Sequence, residues 1–190
     1  MSVASTSVRA FLACEVPEAV KAELERERDQ VRKTLPPARW TRPTGWHLTL
    51  KFLGESDMDL LKKLTADLAP HLKDRGALRI RLAGGGFFPS PVRPRVAWIG
   101  GTAEGSEAVV RTVGAETVSA GFAAEKRPWS VHVTMARLKS RWSRSAVESY
   151  LKWAGLQTFS SFVCREVVLF ESRLQPGGAL YTALERMPLE

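Results

Sequence analysis

Two short histidine-containing segments repeat in this chain and carry the residues best suited to chemistry. The first reads HLTLKFL from His47, and the second reads HVTMARL from His132. Each opens an alternating polar and apolar run typical of a strand, in which residues two apart share a face. Each segment is therefore expected to present an imidazole beside a hydroxyl, His47 with Thr49 and His132 with Thr134, while the intervening residues point into a core.

Two histidines that face each other across a cleft suit acid–base chemistry at a phosphodiester. Imidazole titrates near neutral pH, so one ring can accept a proton while the other donates one. In an in-line displacement, one histidine activates the nucleophile, the other protonates the leaving oxygen, and the threonine hydroxyls donate to non-bridging oxygens. The alternative is a polar strand face that only contacts water. Because two of the three histidines share the pattern, the repetition favours the functional interpretation.

The position three residues after each threonine differs between the repeats. The second repeat has Arg137, which can neutralise charge that builds on phosphorus. Strict alternation would place Arg137 on the face opposite His132, so a β-bulge or the end of the strand is needed to bring it to the site. The first repeat has Phe52, which is either a substrate-binding platform that stacks on a base or a core residue.

A metal centre is not favoured by the residues around these segments. Two histidines and a carboxylate can bind iron or manganese, and Glu55 and Asp57 follow the first repeat. Neither has a counterpart after His132. The third histidine, His71, lies near the end of a leucine-striped helix and shares no context with the other two. We therefore expect a site without a metal or other cofactor.

The composition is that of a globular protein with excess positive charge. The 190 residues are 44% hydrophobic, and 28 Lys and Arg against 20 Asp and Glu give a net charge of +8. This excludes a wholly disordered chain, a collagen-like repeat and a coiled coil. The charge suits a polyanionic partner such as RNA without establishing one. No apolar run reaches the ~18 residues of a membrane span and no signal peptide is apparent, so we expect a cytoplasmic protein.

Two further groups of residues have simple interpretations. Cys14 and Cys164 lie in separate apolar runs and are expected to be small buried residues, not a disulfide framework or a zinc site. Lys139, Arg141 and Arg144 form a basic cluster just after the second repeat. This cluster is either a solvated loop or a contact to an RNA backbone.

Hydrophobic periodicity predicts alternating strands and helices around the two segments. Strands are predicted over 8–14, 47–53, 78–83, 95–99, 131–138, 162–170 and 179–184. Helices are predicted after Pro17, after Ser56 with an apolar stripe of Leu61, Leu64, Leu68 and Leu72, over 107–118 and after Ser145. Serines in the patterns Ser56-x-x-Asp59 and Ser145-x-x-Glu148 are expected to cap two of the helices. The glycine run at 84–86 precedes Phe-Phe-Pro, not a helix, and is expected to be a turn.

Taken together, these segments resemble the two-histidine (2H) phosphoesterases, and within them the RNA 2′,3′-cyclic phosphodiesterases, also called 2′-5′ RNA ligases. Nearly the whole chain carries the resemblance: RAFLA from Arg9, RW-x-RP from Arg39, HLTLKFLG from His47, GGFFP from Gly85, HVTMAR from His132 and LFESRL-x-PGG from Leu169. The resemblance implies an α+β fold of two pseudo-symmetric αβ lobes, whose antiparallel sheets flank a central cleft. A single domain would then occupy 1–190, with 1–7 as a flexible tail.

The resemblance also implies a reaction and roles for the residues. The implied reaction is metal-independent hydrolysis of RNA or nucleoside 2′,3′-cyclic phosphates to 2′-phosphates, with reversible 2′-5′ RNA ligation as a further activity and tRNA fragments among the substrates of a monomeric enzyme. His47 would be the proton donor and His132 the proton acceptor, with Thr49, Thr134 and Arg137 on the phosphate oxygens. The alternative is a non-catalytic module that binds RNA or senses RNA ends. The matched pair of titrating groups favours the enzyme.

Overall fold

The fold follows an alternating order of strands and helices. A computed structural model describes residues 6–176 and 178–190. Its elements are β1 (Ser7–Glu15), α1 (Glu18–Val31), β2 (Arg39–Trp40), a 3-10 turn (Pro43–Gly45), β3 (His47–Asp57), α2 (Met58–Leu72), β4 (Leu78–Ser90), β5 (Arg93–Glu104), α3 (Ser106–Ser119), β6 (Val133–Arg137), α4 (Arg144–Gly155), β7 (Phe162–Cys164), β8 (Glu166–Gln175) and β9 (Gly178–Pro188).

The strands form two antiparallel sheets. The first has the order β3-β1-β8-β9, and the second has the order β2-β6-β5-β4-β7. One histidine segment is at β3, an edge of the first sheet, and the other is at β6 in the second. The expectation of an α+β fold with antiparallel sheets is therefore confirmed, and each sheet supplies one half of the repeat.

Amphipathic helices close the core against the sheets. The leucine stripe of α2 is buried at each expected position: Leu61, Leu64, Leu68 and Leu72. On α1, Val20, Leu24 and Val31 form the buried face. Burial of one such side chain stabilises the fold by about 1.5–3 kcal/mol, so these two helices fix the packing behind the sheets.

The glycine run 84–86 is not a turn, because β4 continues through it to Ser90. The reason is the close approach of β5. A Cβ on Gly85 would lie 2.5 Å from the carbonyl oxygen of Trp98, and a Cβ on Gly86 would lie 2.5 Å from the indole ring of the same residue. Only glycine leaves this space, so the run accommodates Trp98 within the sheet.

The prediction of a single strand over 162–170 is also wrong. It divides at Arg165 into β7, which joins the second sheet, and β8, which joins the first. A continuous apolar run carries no periodicity that could reveal this division. The strand therefore changes sheets, and this links the two halves of the core.

Several strands extend four or more residues past their expected ends, and two helix caps lie one or two residues from the expected serines. Strand β3 continues past Gly54, and the cap of α2 is Asp57, whose carboxylate accepts from the backbone N–H groups of two following residues. The cap of α4 is Ser143, not Ser145. In each case the neighbouring polar residue has the same capping chemistry, so the sequence alone did not separate them.

Three smaller expectations can be compared with the structure. Cys14 and Cys164 are buried and free, as expected. Residues 1–5 of the expected tail lie outside the described residues, whereas Ser7 already begins β1. No helix in the described ranges is long and apolar enough to cross a membrane.

Candidate active site

The first histidine segment places its polar side chains on the face of the first sheet that is turned away from the main core. Residues directly opposite on antiparallel strands share a face, and Thr49 is opposite Ala13 of β1. Ala13 belongs to a small apolar cluster separate from the main core. Leu48 points to the other face and is buried in the main core. The expected alternation of this segment is therefore confirmed.

Aromatic rings enclose His47 on this face. The centroid of its imidazole lies 4.6 Å from that of Phe11, 5.0 Å from that of Tyr181 and 6.3 Å from that of Phe170. The backbone carbonyl of Gly45 accepts a hydrogen bond from the ring. Sequence reasoning did not find Tyr181, because β9 reaches the site only through its pairing with β8.

The enclosure changes the acidity of His47. Its pKa falls from the usual 6.5 to about 4, chiefly through burial and in smaller part through the positive charges of His132 and Lys21, against the opposing effect of the Gly45 carbonyl. His47 is consequently neutral at pH 7 in the free protein. The effect of His132 on this pKa also shows that the two histidines act within one electrostatic environment.

The second histidine is held in a similar way. His132 immediately precedes β6, so the strand is shorter than the expected 131–138. Its Nδ1 lies 2.9 Å from the carbonyl oxygen of Ser130, and its ring makes an edge contact with Phe88 at 5.0 Å between centroids. Each imidazole is thus oriented by the carbonyl two residues before it, which leaves the other ring nitrogen for chemistry.

A bulge in β6 brings Arg137 to the site face. Thr134 is opposite Trp98 of β5, whereas Ala136 is opposite the neighbouring residue Ala97, so Met135 is the extra residue. Arg137 is then opposite Val96, two residues from Trp98 on β5 and therefore on the same face. The expected need for a bulge is confirmed, and Thr134 and Arg137 share a face.

The same irregularity occurs in β3. Thr49 is opposite Ala13 and Lys51 is opposite its neighbour Leu12, so Leu50 is the extra residue, as Met135 is in β6. Phe52 is consequently opposite Phe11, on the face of Thr49, with 6.2 Å between the two phenyl centroids. Its side chain is 61% exposed, so the core interpretation of Phe52 is wrong.

Thr41 joins the two segments and was missed by sequence reasoning. Its hydroxyl lies 2.7 Å from the carbonyl oxygen of Thr134 and 2.9 Å from that of Met135, and its backbone N–H also donates to Met135. Trp46 Nε1 donates to the same hydroxyl at 2.7 Å. Since Trp46 directly precedes His47, Thr41 couples the bulge that carries one motif to the start of the other.

The carboxylates considered for a metal site lie elsewhere. Asp57 caps α2 at the end of β3 opposite to His47, and Glu55 is exposed near that same end. Among residues 6–176 and 178–190, no three His, Cys, Asp or Glu side chains are grouped as a metal site would require. The third histidine, His71, pairs with Glu116 on the surface, 2.8 Å away.

The basic cluster after the second repeat is partly engaged within the protein. Arg141 donates to the carbonyl of Val92, and Arg144 pairs with Glu148 of α4. Lys139 is exposed. Two of the three cations therefore already have acceptors, which favours the surface-loop interpretation for them.

The sequence of this chain is similar to those of known phosphoesterases. The family model described as LigT-like phosphoesterase matches residues 15–98. A protein of Aeropyrum pernix named RNA 2′,3′-cyclic phosphodiesterase is 32% identical over 165 residues, which cover 85% of this chain and 92% of that protein. One of Thermus thermophilus with the same name is 31% identical, covering 96% of this chain and 90% of that protein. The chain belongs to the LigT-like phosphoesterases.

Solved structures of other proteins have the fold of this LigT-like phosphoesterase. The crystal structure of the Thermus thermophilus protein TT0787 superposes with a TM-score of 0.79 at 27% identity, covering 95% of this chain and 97% of that one. E. coli LigT complexed with 3′-AMP gives 0.73 at 22% identity, with coverage of 97% and 99%. The second comparison supports the fold alone.

The acidity of His47 can be tested directly in this phosphoesterase. We expect His132→Gln to raise the pKa of His47, because it removes a positive charge that disfavours the imidazolium. NMR titration of the His47 ring signals measures the change, and His71→Gln is the control because His71 lies on α2 away from the cleft. A pKa of His47 that stays the same or falls in His132→Gln would contradict a shared electrostatic environment.

The role of Thr41 can be tested by removing its hydroxyl. Thr41→Val leaves two bulge carbonyls and Trp46 Nε1 without this partner, so we expect a loss of about 1–3 kcal/mol in the free energy of unfolding. Urea denaturation measures it. Thr41→Ser keeps the hydroxyl and should recover most of the loss. Thr44→Val is the matched control on the exposed 3-10 turn; an equal loss there would refute the argument.

Proposed function

We propose that this protein hydrolyses 2′,3′-cyclic phosphates, on RNA ends or on nucleosides, to 2′-phosphates. His47 is the proton donor and His132 the proton acceptor. The observation that carries this proposal is the duplicated arrangement of histidine, threonine and bulge, one copy on each sheet. Relatives that align over most of the chain are named for the same activity, which supports the assignment.

The reaction requires two protons to move on opposite sides of phosphorus. Water attacks as His132 takes its proton, the P–O3′ bond breaks, and His47 protonates O3′ as it leaves. The product keeps its phosphate on O2′. In-line displacement needs one group on each side of the phosphate, and the two sheets each supply one such group.

The remaining polar groups stabilise charge on the phosphate. Within the described residues neither Thr49 Oγ1 nor Thr134 Oγ1 donates to a protein acceptor, so both can donate to non-bridging oxygens. Arg137 is exposed on the same face as Thr134 and adds a planar cation. These groups matter most when negative charge builds on the phosphoryl oxygens in the transition state.

The low pKa of His47 fits a donor that is charged by its substrate. The free ring is neutral at pH 7, because its pKa is lowered to about 4. A phosphate anion beside the ring stabilises the imidazolium and raises that pKa, so the proton is acquired in the complex. The imidazolium is then in place to protonate O3′ as it leaves.

Phe52 is placed to bind a nucleobase. Its exposed ring lies on the site face and borders an open cavity of about 600 Å³ lined by Lys51 and residues 122–127. An exposed aromatic ring beside a cleft is a stacking platform for any base. We therefore assign Phe52 to substrate binding without base specificity.

Ligation requires only a different nucleophile. A 5′-hydroxyl of a second RNA in the position of water, deprotonated by His132, attacks the cyclic phosphate, and O3′ again leaves with a proton from His47. The product is a 2′-5′ phosphodiester. Reversible ligation of RNA ends, including those of tRNA fragments, is part of the proposal on this chemical ground.

Loss of either histidine is expected to stop turnover. His47→Ala and His132→Ala should each lower kcat by about 100-fold or more, because each removes a positioned acid or base. Hydrolysis of a nucleoside 2′,3′-cyclic phosphate measures this, with circular dichroism to show that the variants fold. His71→Ala is the control and should retain full activity. Normal turnover in either site variant would exclude the paired mechanism.

The identity of the product tests the direction of the reaction. We expect phosphorus NMR to show a 2′-phosphate, since O3′ is the leaving group, and we expect equal rates with and without EDTA. A 3′-phosphate would mean that O2′ leaves and that the ribose is bound the other way round. Inactivation by EDTA with recovery on added manganese would contradict the metal-independent mechanism.

A further inference from the structure

Two arginines lie side by side on the site face of the second sheet. Arg39 of β2 is directly opposite Arg137 of β6. Trp40, next to Arg39, packs against the main core, so Arg39 points to the other face, where Arg137 and Thr134 also lie. Both guanidinium groups are exposed. The strand pairing therefore holds two cations next to each other.

Such a pair is unfavourable without an anion. Like charges directly opposite on paired strands destabilise a sheet. Within the described ranges, neither Arg39 nor Arg137 has a carboxylate partner, whereas Arg173 of the neighbouring sheet is bonded to Glu171 at 2.8 Å. An anionic ligand between the two side chains would relieve this repulsion.

Arg39 lies at the edge of the second sheet, and its side chain extends toward the first sheet. Its Nη2 lies 3.7 Å from the point that a Cβ on Gly178 would occupy, so the side chain reaches the start of β9 in the first sheet. Arg137 stands between Arg39 and Thr134 along the face. A chain of phosphates that begins at the threonines would meet Arg137 and then Arg39.

We propose that Arg39 binds the backbone phosphate next to the terminal cyclic phosphate, so that the preferred substrate is an oligoribonucleotide end and not a free nucleotide. This proposal rests on the proposed function. Arg39 contacts a phosphate that does not react, so it stabilises the bound substrate and the transition state equally. It therefore lowers KM without changing kcat. Arg137 lies between the two phosphates and serves both.

The test compares two substrates that differ in that phosphate. A nucleoside 2′,3′-cyclic phosphate with a free 5′-hydroxyl lacks it, and a dinucleotide ending in a 2′,3′-cyclic phosphate has it. We expect Arg39→Ala to lower kcat/KM about tenfold for the dinucleotide, through KM, and less than twofold for the nucleoside. Arg39→Lys should recover part of the loss, because a point charge lacks the planar fork. Arg111→Ala on the exposed surface of α3 controls for net charge.

Salt dependence gives a readout that a structural role would not change. Salt screens the attraction between an exposed cation and a phosphate. The fall of kcat/KM with salt should therefore be weaker for the dinucleotide in Arg39→Ala than in the unmodified protein, and the same in both for the nucleoside. An unchanged salt dependence for the dinucleotide would overturn the proposal.

The remaining outcomes separate this inference from the proposed function. Equal losses for both substrates, or no loss for either, overturn the role of Arg39 and leave the hydrolytic activity intact. If the unmodified protein hydrolyses neither substrate, the proposed function fails. In that case calorimetry compares the affinity of the dinucleotide for the unmodified protein and for Arg39→Ala. Equal affinities overturn the phosphate contact, and tenfold weaker binding by Arg39→Ala supports it.

Discussion

The hydrogen bonds of Thr41 to the bulge in β6 are the interaction on which the site depends. A bulge leaves backbone groups outside the regular ladder of the sheet, and unpaired buried carbonyls are costly. Thr41 supplies a hydroxyl and an N–H to the carbonyl groups of Thr134 and Met135. Because the same hydroxyl accepts from Trp46, the backbone that precedes His47 is fixed to the strand that follows His132.

The bulges change which residues of the two histidine segments share the face of the threonines. In a regular strand, the residues three after Thr49 and Thr134 would point into the core. One extra residue in each strand turns Phe52 and Arg137 to the site face. The two strands therefore present similar polar faces, and one carries the aromatic ring of Phe52 where the other carries the cation of Arg137.

The low pKa of His47 follows from the packing of aromatic rings around it. Aromatic rings from β1, β8 and β9 enclose His47, and this burial lowers its pKa to about 4, while Arg39 and Arg137 are exposed cations on the second sheet. A site with a neutral donor and several cationic neighbours attracts an anionic substrate before it acquires the catalytic proton. Binding and proton supply are thereby coupled in the proposed mechanism.

The sequence by itself determined the two histidine–threonine pairs, the leucine stripe of α2 and the alternating order of strands and helices, because these depend on local periodicity and on the repeated motif. The antiparallel sheets were expected only from the family resemblance. The sequence also showed that Arg137 required a bulge. Only the tertiary structure decided that Phe52 is exposed, that the glycine run 84–86 lies within a strand, that Thr41 joins the two histidine segments and that Arg39 lies opposite Arg137. Those features arise from pairings between segments far apart in the chain, and local pattern carries no information about which strand lies opposite which.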